Sequence, residues 1–199
     1  DEHSLVFVTK NGITKRVFLS EFARINQNGK IAIGLKDDDE LIDVKLTDGN
    51  AEIFIASSNG KVVRFNEQDV RCMGRTASGV KGINVGDGEV VGVATSLEGK
   101  YILVISEYGY GKMSDMNDYR LTKRGSQGVL TIKAGEKNGA LAKIVAVNGD
   151  EDILVVTNLG IIIRTSLKEV KVAGRNTLGV RIIRLINHQT VENYLVANQ

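Results

Sequence analysis

Four short apolar runs recur along the chain: Leu5-Val6-Phe7-Val8, Ile53-Phe54-Ile55-Ala56, Ile102-Leu103-Val104-Ile105 and Ile153-Leu154-Val155-Val156. Short continuous runs rich in Ile and Val predict strands covered on both faces. Each run leads to a turn glycine, at Gly12, Gly60, Gly109 and Gly160, and these lie 48, 49 and 51 residues apart. Asn11-Gly12 and Asn59-Gly60 predict two-residue hairpins in which both residues take φ > 0. Tyr108-Gly109 and Leu159-Gly160 are weaker signals at the same place. The strand after the turn carries a basic residue near its end, Arg16, Arg64, Lys112 or Arg164.

Ten residues beyond each turn glycine stands Phe22, Val70, Tyr119 or Val170, inside a polar connector. The connector ends at a second glycine, Gly29, Gly79, Gly128 or Gly179, with Ile33, Ile83, Ile132 or Ile183 four residues on. Alternation in Val80-Lys81-Gly82-Ile83 and Val180-Arg181-Ile182-Ile183 predicts a half-buried third strand. A fourth strand is predicted over 41–46, 90–94, 141–147 and 191–196. Four strands in a unit of about 50 residues is the content of a propeller blade. The fold class expected is therefore all-β, a propeller-like disc. It forms one domain over 1–199, with blades at roughly 1–50, 51–99, 100–150 and 151–199.

Composition narrows this little: 42% of residues are hydrophobic and 25% charged, as in an ordinary globular chain. Proline is absent and glycine numbers 22, so turns fall to Gly, Asn and Asp. The single cysteine, Cys72, excludes an internal disulfide and fits a reducing compartment. No apolar run is long enough to cross a bilayer as a helix and no secretory leader is evident; Asp1 need not be the natural start.

The placement of charge is more telling than its total. Residues 9–34, 60–85, 109–133 and 160–184 carry net charges of +4, +3, +3 and +5, whereas the whole chain carries +2. The acids gather elsewhere, as in Asp37-Asp38-Asp39-Glu40 and Asp150-Glu151-Asp152. Stacking the units around an axis would join the basic segments into one band, the footprint of a surface that follows a phosphate backbone. The candidate contacts are Lys15, Arg16, Arg24 and Lys30 in the first unit and Lys61, Arg64, Arg71, Arg75 and Lys81 in the second. Lys112, Lys123 and Arg124 follow in the third, and Arg164, Lys171, Arg175 and Arg181 in the fourth. Arg75 and Arg175, each after a glycine, are expected to be equivalent perimeter contacts.

Enzymatic chemistry finds no foothold. Tyr101, Tyr108, Tyr110, Tyr119 and Tyr194 fall at repeat positions and read as packing residues. His3 and His188 have no Cys or His at metal-ligand spacing. Cys72 lies between Arg71 and Arg75 with no histidine close in sequence. The run Asp37–Glu40 lacks the alternating ligands and glycine of a calcium loop, and no glycine-rich phosphate loop precedes a helix. No catalytic residue, metal or cofactor is expected in this chain.

The segment Arg71-Cys72-Met73-Gly74-Arg75-Thr76-Ala77-Ser78-Gly79-Val80-Lys81-Gly82-Ile83 closely resembles the repeat of the DNA gyrase A C-terminal domain. So do Val172-Ala173-Gly174-Arg175-Asn176-Thr177-Leu178-Gly179-Val180 and Tyr108-Gly109-Tyr110-Gly111-Lys112. The resemblance covers essentially the whole chain. It implies a β-pinwheel, a disc of four-stranded blades that exchange strands. Such a disc binds and wraps duplex DNA along its basic perimeter and supports negative supercoiling. The implied partners are double-stranded DNA, the catalytic region of gyrase A, and gyrase B. ATP and Mg would be used elsewhere in the parent type II topoisomerase, in the bacterial cytoplasm beside the nucleoid.

Gyrase usually has six such repeats where four stand here, so an open arc or a self-associated form is expected. The Gln-Arg-Arg-Gly-Gly-Lys-Gly box of the family's first blade is not intact. Lys123-Arg124-Gly125-Ser126-Gln127-Gly128 is a partial echo of it. The corresponding C-terminal domain of topoisomerase IV and a propeller-type protein scaffold are the alternatives.

Overall fold

A computed structural model describes residues 2–24, 29–186 and 188–197; residues 25–28 of the first connector lie outside it. The first apolar run of each unit forms β1 (Ser4–Thr9), β4 (Glu52–Ser57), β8 (Tyr101–Ser106) and β12 (Asp152–Thr157). Each pairs antiparallel with the strand after the turn: β2 (Ile13–Phe18), β5 (Lys61–Asn66), β9 (Tyr110–Asp115) or β13 (Ile162–Ser166). On its other side it pairs with β3 (Leu41–Thr47), β7 (Val90–Thr95), β11 (Leu141–Val147) or β15 (Val191–Ala197). The last four strands pack side by side in the order β3, β7, β11, β15, which makes them the innermost layer of the arc.

The hairpins differ from the expected two-residue type. Asn11 and Asn59 do not take positive φ, while Gly12 (φ 92°) and Gly60 (φ 85°) do. In all four turns the glycine N–H donates to the carbonyl three residues back, Gly12 to Thr9 and Gly60 to Ser57 among them. This is a three-residue loop with a left-handed glycine at its end. The residue before the glycine is therefore free to be Asn, Tyr or Leu.

The third strand of the second, third and fourth units is short and belongs to the preceding unit's sheet. β6 (Val80–Lys81) pairs with β2, β10 (Val129–Leu130) with β5, and β14 (Val180–Arg181) with β9. The sheet orders are β3-β1-β2-β6, β7-β4-β5-β10, β11-β8-β9-β14 and β15-β12-β13. Among the described residues the fourth sheet thus has three strands, and residues 29–36 form none.

The turn glycines explain the exchange. The Gly60 carbonyl accepts from the N–H groups of Thr131 and Ile132, and the Gly12 and Gly109 carbonyls accept the same pair from their neighbours. A Cβ on Gly60 would stand 1.8 Å from the Ile132 carbonyl oxygen, a collision no rotamer could relieve. At Gly160 the corresponding space is open.

Three apolar cores lie between successive sheets. Ile53, Ile55, Phe65 and Ile83 join Val6 and Val8 at the first joint. Phe54, Ile102, Val104, Tyr119 and Ile132 fill the second, and Leu103, Ile105, Ile153, Leu167 and Ile183 the third. Burying one such side chain contributes about 1.5–3 kcal/mol, so the joints add substantially to what holds successive sheets together. Short 3-10 turns, Glu67–Asp69, Met116–Asp118 and Leu167–Glu169, feed Val70, Tyr119 and Val170 into these joints from the connectors.

Candidate nucleic-acid interface

Since the innermost strands face one another, the exchanged strand is the outer edge of each sheet, and the connector leading to it lies beside that edge. Lys81 and Arg181 stand on exchanged strands and both are exposed. Leu130 holds the equivalent place in the second joint. On the connectors, Arg71, Arg120 and Lys171 occupy one register position, eleven residues after the turn glycine, and all three are exposed. None of them forms an ion pair among the described residues. Lys123 projects with 87% of its side chain in solvent, and Arg24 is exposed in the first unit.

Four of the second-strand cations do not belong to this surface. A strand third in a sheet of four has its side chains inside the joints, and Lys15, Arg16 and Lys112 are buried there. Lys15 Nζ donates to the carbonyls of Gly74, Arg75 and Ala77 at 2.6–2.9 Å. Lys112 does the same to Arg175 and Thr177. Each ammonium thereby pins the next unit's connector. Desolvation, with a nearby guanidinium second, holds both lysines below the usual ammonium pKa.

Arg16 bonds Glu67 and the Val70 carbonyl, and Arg64 bonds Glu52 and the carbonyls of Met116 and Tyr119. The candidate contacts Lys15, Arg16, Arg64 and Lys112 are therefore joint residues. The register also corrects an equivalence. Lys112 faces Val104, one position short of Met113, which faces Leu103 as Arg16 faces Val6. A shift of one residue turns a strand side chain to the opposite face, so Lys112 matches Lys15, and Met113 matches Arg16.

Arg75, Arg124 and Arg175 share a second task. Their guanidinium groups donate to the carbonyls of Ile31, Lys81 and Leu130, equivalent positions of the preceding unit, at 3.0, 3.0 and 2.5 Å. Arg124 and Arg175 also bond the carbonyls of Asp69 and Asp118. The Gly-Arg pair thus staples a connector to the unit before it, at the edge of the basic surface. Lys61 is half-buried and bonds Gln127, Lys30 is half-buried, and Arg164 pairs with Asp152 while 63% exposed.

Sequence reasoning passed over four exposed cations of the same outer layer: Arg120, Lys133, Arg184 and Lys137. Arg120 could have been found from its register with Arg71 and Lys171, and Lys133 and Arg184 from each other's, five residues after the second glycine. No group of three or more metal-ligating side chains occurs among the described residues, and no helix is long and apolar enough to cross a membrane.

The comparisons with known proteins agree with this fold. A family model described as DNA gyrase C-terminal domain, beta-propeller, matches residues 3–48, 51–96, 100–148 and 151–187. The DNA gyrase A protein of Ureaplasma parvum serovar 3 is 51% identical over 197 residues, 98% of this chain and 24% of the relative. Its Staphylococcus epidermidis counterpart is 46% identical over 202 residues, 100% of this chain and 23% of the relative. The chain therefore spans about a quarter of the length of these relatives.

Among solved structures, a DNA gyrase A C-terminal domain superposes with a TM-score of 0.87 at 28% identity, covering 100% of this chain and 67% of that one. A topoisomerase IV C-terminal domain superposes at 0.90 with 24% identity, covering 98% and 62%, a likeness of fold. Four successive repeats matched end to end, on sheets that exchange their outer strands, show that the chain belongs to the DNA gyrase C-terminal domain, beta-propeller, family.

Proposed function

We propose that this chain is a non-catalytic module that binds and bends duplex DNA on its outer edge. The observation that carries the reading is the exposed cation repeated at Arg71, Arg120 and Lys171, unpaired by carboxylates among the described residues in three successive units. Cations at one register position around an arc present charge at a regular interval, which suits a polyanion of regular spacing. Lys and Arg that displace condensed counterions give affinity that tolerates sequence and falls steeply with salt. Bending a stiff duplex costs on the order of several kcal/mol, which the contacts along the arc must offset.

In the intact enzyme the module would work beside the catalytic region of gyrase A and beside gyrase B, supporting negative supercoiling in the bacterial cytoplasm. ATP and Mg would act there, outside this chain. The identity to gyrase relatives favours that assignment over topoisomerase IV.

The test is binding to a duplex of a few dozen base pairs at several salt concentrations. If about six phosphates are engaged, log affinity falls against log salt with a slope near −5. Replacing Arg71, Arg120 and Lys171 together by Glu should abolish binding at moderate salt without changing the melting temperature. A flat salt response, or a triple variant that binds as the parent does, rejects the reading.

A further inference from the structure

The third joint differs from the other two at its outer mouth. In the first, Asn11 at the turn is bonded to Asp38 and Asp39 of its own unit. In the second, the Asn59 amide donates to the Val85 carbonyl. In both turns the asparagine side chain is thereby held against the loop of its own unit. In the third, the Tyr108 N–H also donates to its own loop, at the Asn138 carbonyl, but the side chain stands 45% exposed, and Tyr110 lies two residues on. Together with Lys137, Arg181, Leu185 and His188 these tyrosines border an open recess of about 770 Å³. That is within the range of small-ligand sites, roughly 300–1,000 Å³.

The recess has a distinct chemistry. Lys137 Nζ lies 5.0 Å from the centre of the Tyr110 ring and the Arg181 guanidinium 5.3 Å from it. Arg181 also donates to the Tyr110 hydroxyl at 2.8 Å. Tyr110 thus gathers two cations at one ring, through its π-system and its oxygen. No carboxylate lines the recess, and neither cation forms an ion pair among the described residues. Two held cations call for an anion. An exposed aromatic ring and the Leu185 side chain beside them call for a flat apolar group on the same ligand. A nucleotide joins those two features within one residue.

We propose that this recess is a subsite for one unpaired nucleotide of a DNA strand, with its phosphate on Lys137 and Arg181 and its base stacked on Tyr108. A base inside an intact duplex has no free π-face, so only an unstacked one can use the ring. Every base offers such a face, so the subsite tolerates sequence. Arg181 stands on an exchanged strand at the outer edge, and the subsite therefore lies on the surface assigned above to duplex DNA and rests on that reading. It adds a place where a bulged or frayed strand is gripped more tightly than a paired one.

The test compares, at one salt concentration, an intact duplex with the same duplex carrying one bulged 2-aminopurine. The bulged probe should bind about tenfold more tightly, with its emission quenched by stacking on Tyr108. Tyr108→Ala should remove both the preference and the quenching while leaving intact-duplex affinity unchanged, and Tyr108→Phe should restore both. Lys137→Ala should weaken binding of the bulged probe more than that of the intact duplex.

Free dAMP should displace the bulge only at far higher concentration than the bulged strand itself; displacement at equal concentration would make a free mononucleotide the ligand and overturn the proposal. Displacement by a poly-Glu peptide as efficient as by bulged DNA would show that charge alone is read, and would also overturn it. So would equal affinity for the two duplexes or a preference that survives in Tyr108→Ala. Failure of both duplexes to bind would instead reject the duplex reading on which the subsite rests.

Discussion

Arg16 of β2 donates to Glu67 of the following unit at 2.9 Å, with 6% and 0% of their side chains exposed. Glu67 also accepts from the Thr47 hydroxyl and the Ala51 N–H, so its lone pairs are met from three directions. The same two places in the third joint hold Met113 and Leu167, both buried in one apolar cluster. The fold thus uses an ionic and an apolar solution at equivalent joints. A buried pair is costly to break and is often replaceable by matched apolar groups. Arg16→Met alone should destabilise by about 3–5 kcal/mol, since it leaves a buried carboxylate. Arg16→Met with Glu67→Leu should recover most of that loss. Urea titrations of the three proteins decide it, and a double variant as unstable as the single one counts against the equivalence.

Arg75 and Arg175 bond carbonyls of the preceding unit, so their replacement acts on stability as well as on DNA. Arg75→Glu with Arg175→Glu should lower the melting temperature, losing about 1 kcal/mol per site. The Arg71, Arg120 and Lys171 variants should not, because those side chains are exposed and form no ion pair among the described residues. Differential scanning calorimetry of both sets, run beside the DNA titration, separates stapling from binding. An unchanged melting temperature in the Arg75/Arg175 variant would return those residues to a purely perimeter role.

Gly60 and Gly160 stand at the same turn position with positive φ, 85° and 76°, yet meet different surroundings. Alanine at Gly160 incurs only the left-handed strain, about 1–2 kcal/mol. Alanine at Gly60 must also displace the Ile132 carbonyl, and with it the exchanged strand β10. The expected order in urea unfolding is a small loss for Gly160→Ala and a markedly larger one for Gly60→Ala. Equal losses would mean that the strand exchange adds nothing to stability.

The strand positions were legible because their cause is local. Ile102 to Ile105 must be covered, and Gly109 must turn the chain, whichever neighbour is present. Ownership of the third strand was not legible. A period near 50 residues places Val129-Leu130 equally well on its own unit or the one before, and only the close approach at Gly60 decides. The cations failed for a related reason. Lys112 and Arg64 look alike in a list of basic residues, but one residue of register puts them on opposite faces. Arg120 was readable from its spacing and was masked by the more conspicuous Lys123-Arg124. The recess beside Tyr108 left no repeated signal, because it arises where one joint departs from the other two.

Tyr119 offers a test of the second joint through pH. Its ring lies edge-on to Phe54 with centroids 6.0 Å apart, and its hydroxyl shares a 2.6 Å hydrogen bond with Thr131. Burial pushes the phenol up to about 12 from an ordinary value of 10.0. The folded protein keeps this proton where the unfolded chain loses it. The stability that the neutral phenol contributes is therefore intact below pH 10 and is lost as pH rises toward 12. The slope is about 1.4 kcal/mol per pH unit, which amounts to roughly 2–3 kcal/mol across the window. Lys15 and Lys112, whose ammonium groups are disfavoured by burial, act in the opposite sense, so the comparison must be with a variant that retains them. Tyr119→Phe should lose about 1 kcal/mol at neutral pH with the Thr131 bond. It should then show a shallower alkaline decline than the parent in urea titrations at about pH 9 and about pH 11. Parallel declines in the two proteins would show that Tyr119 ionises without unfolding the joint.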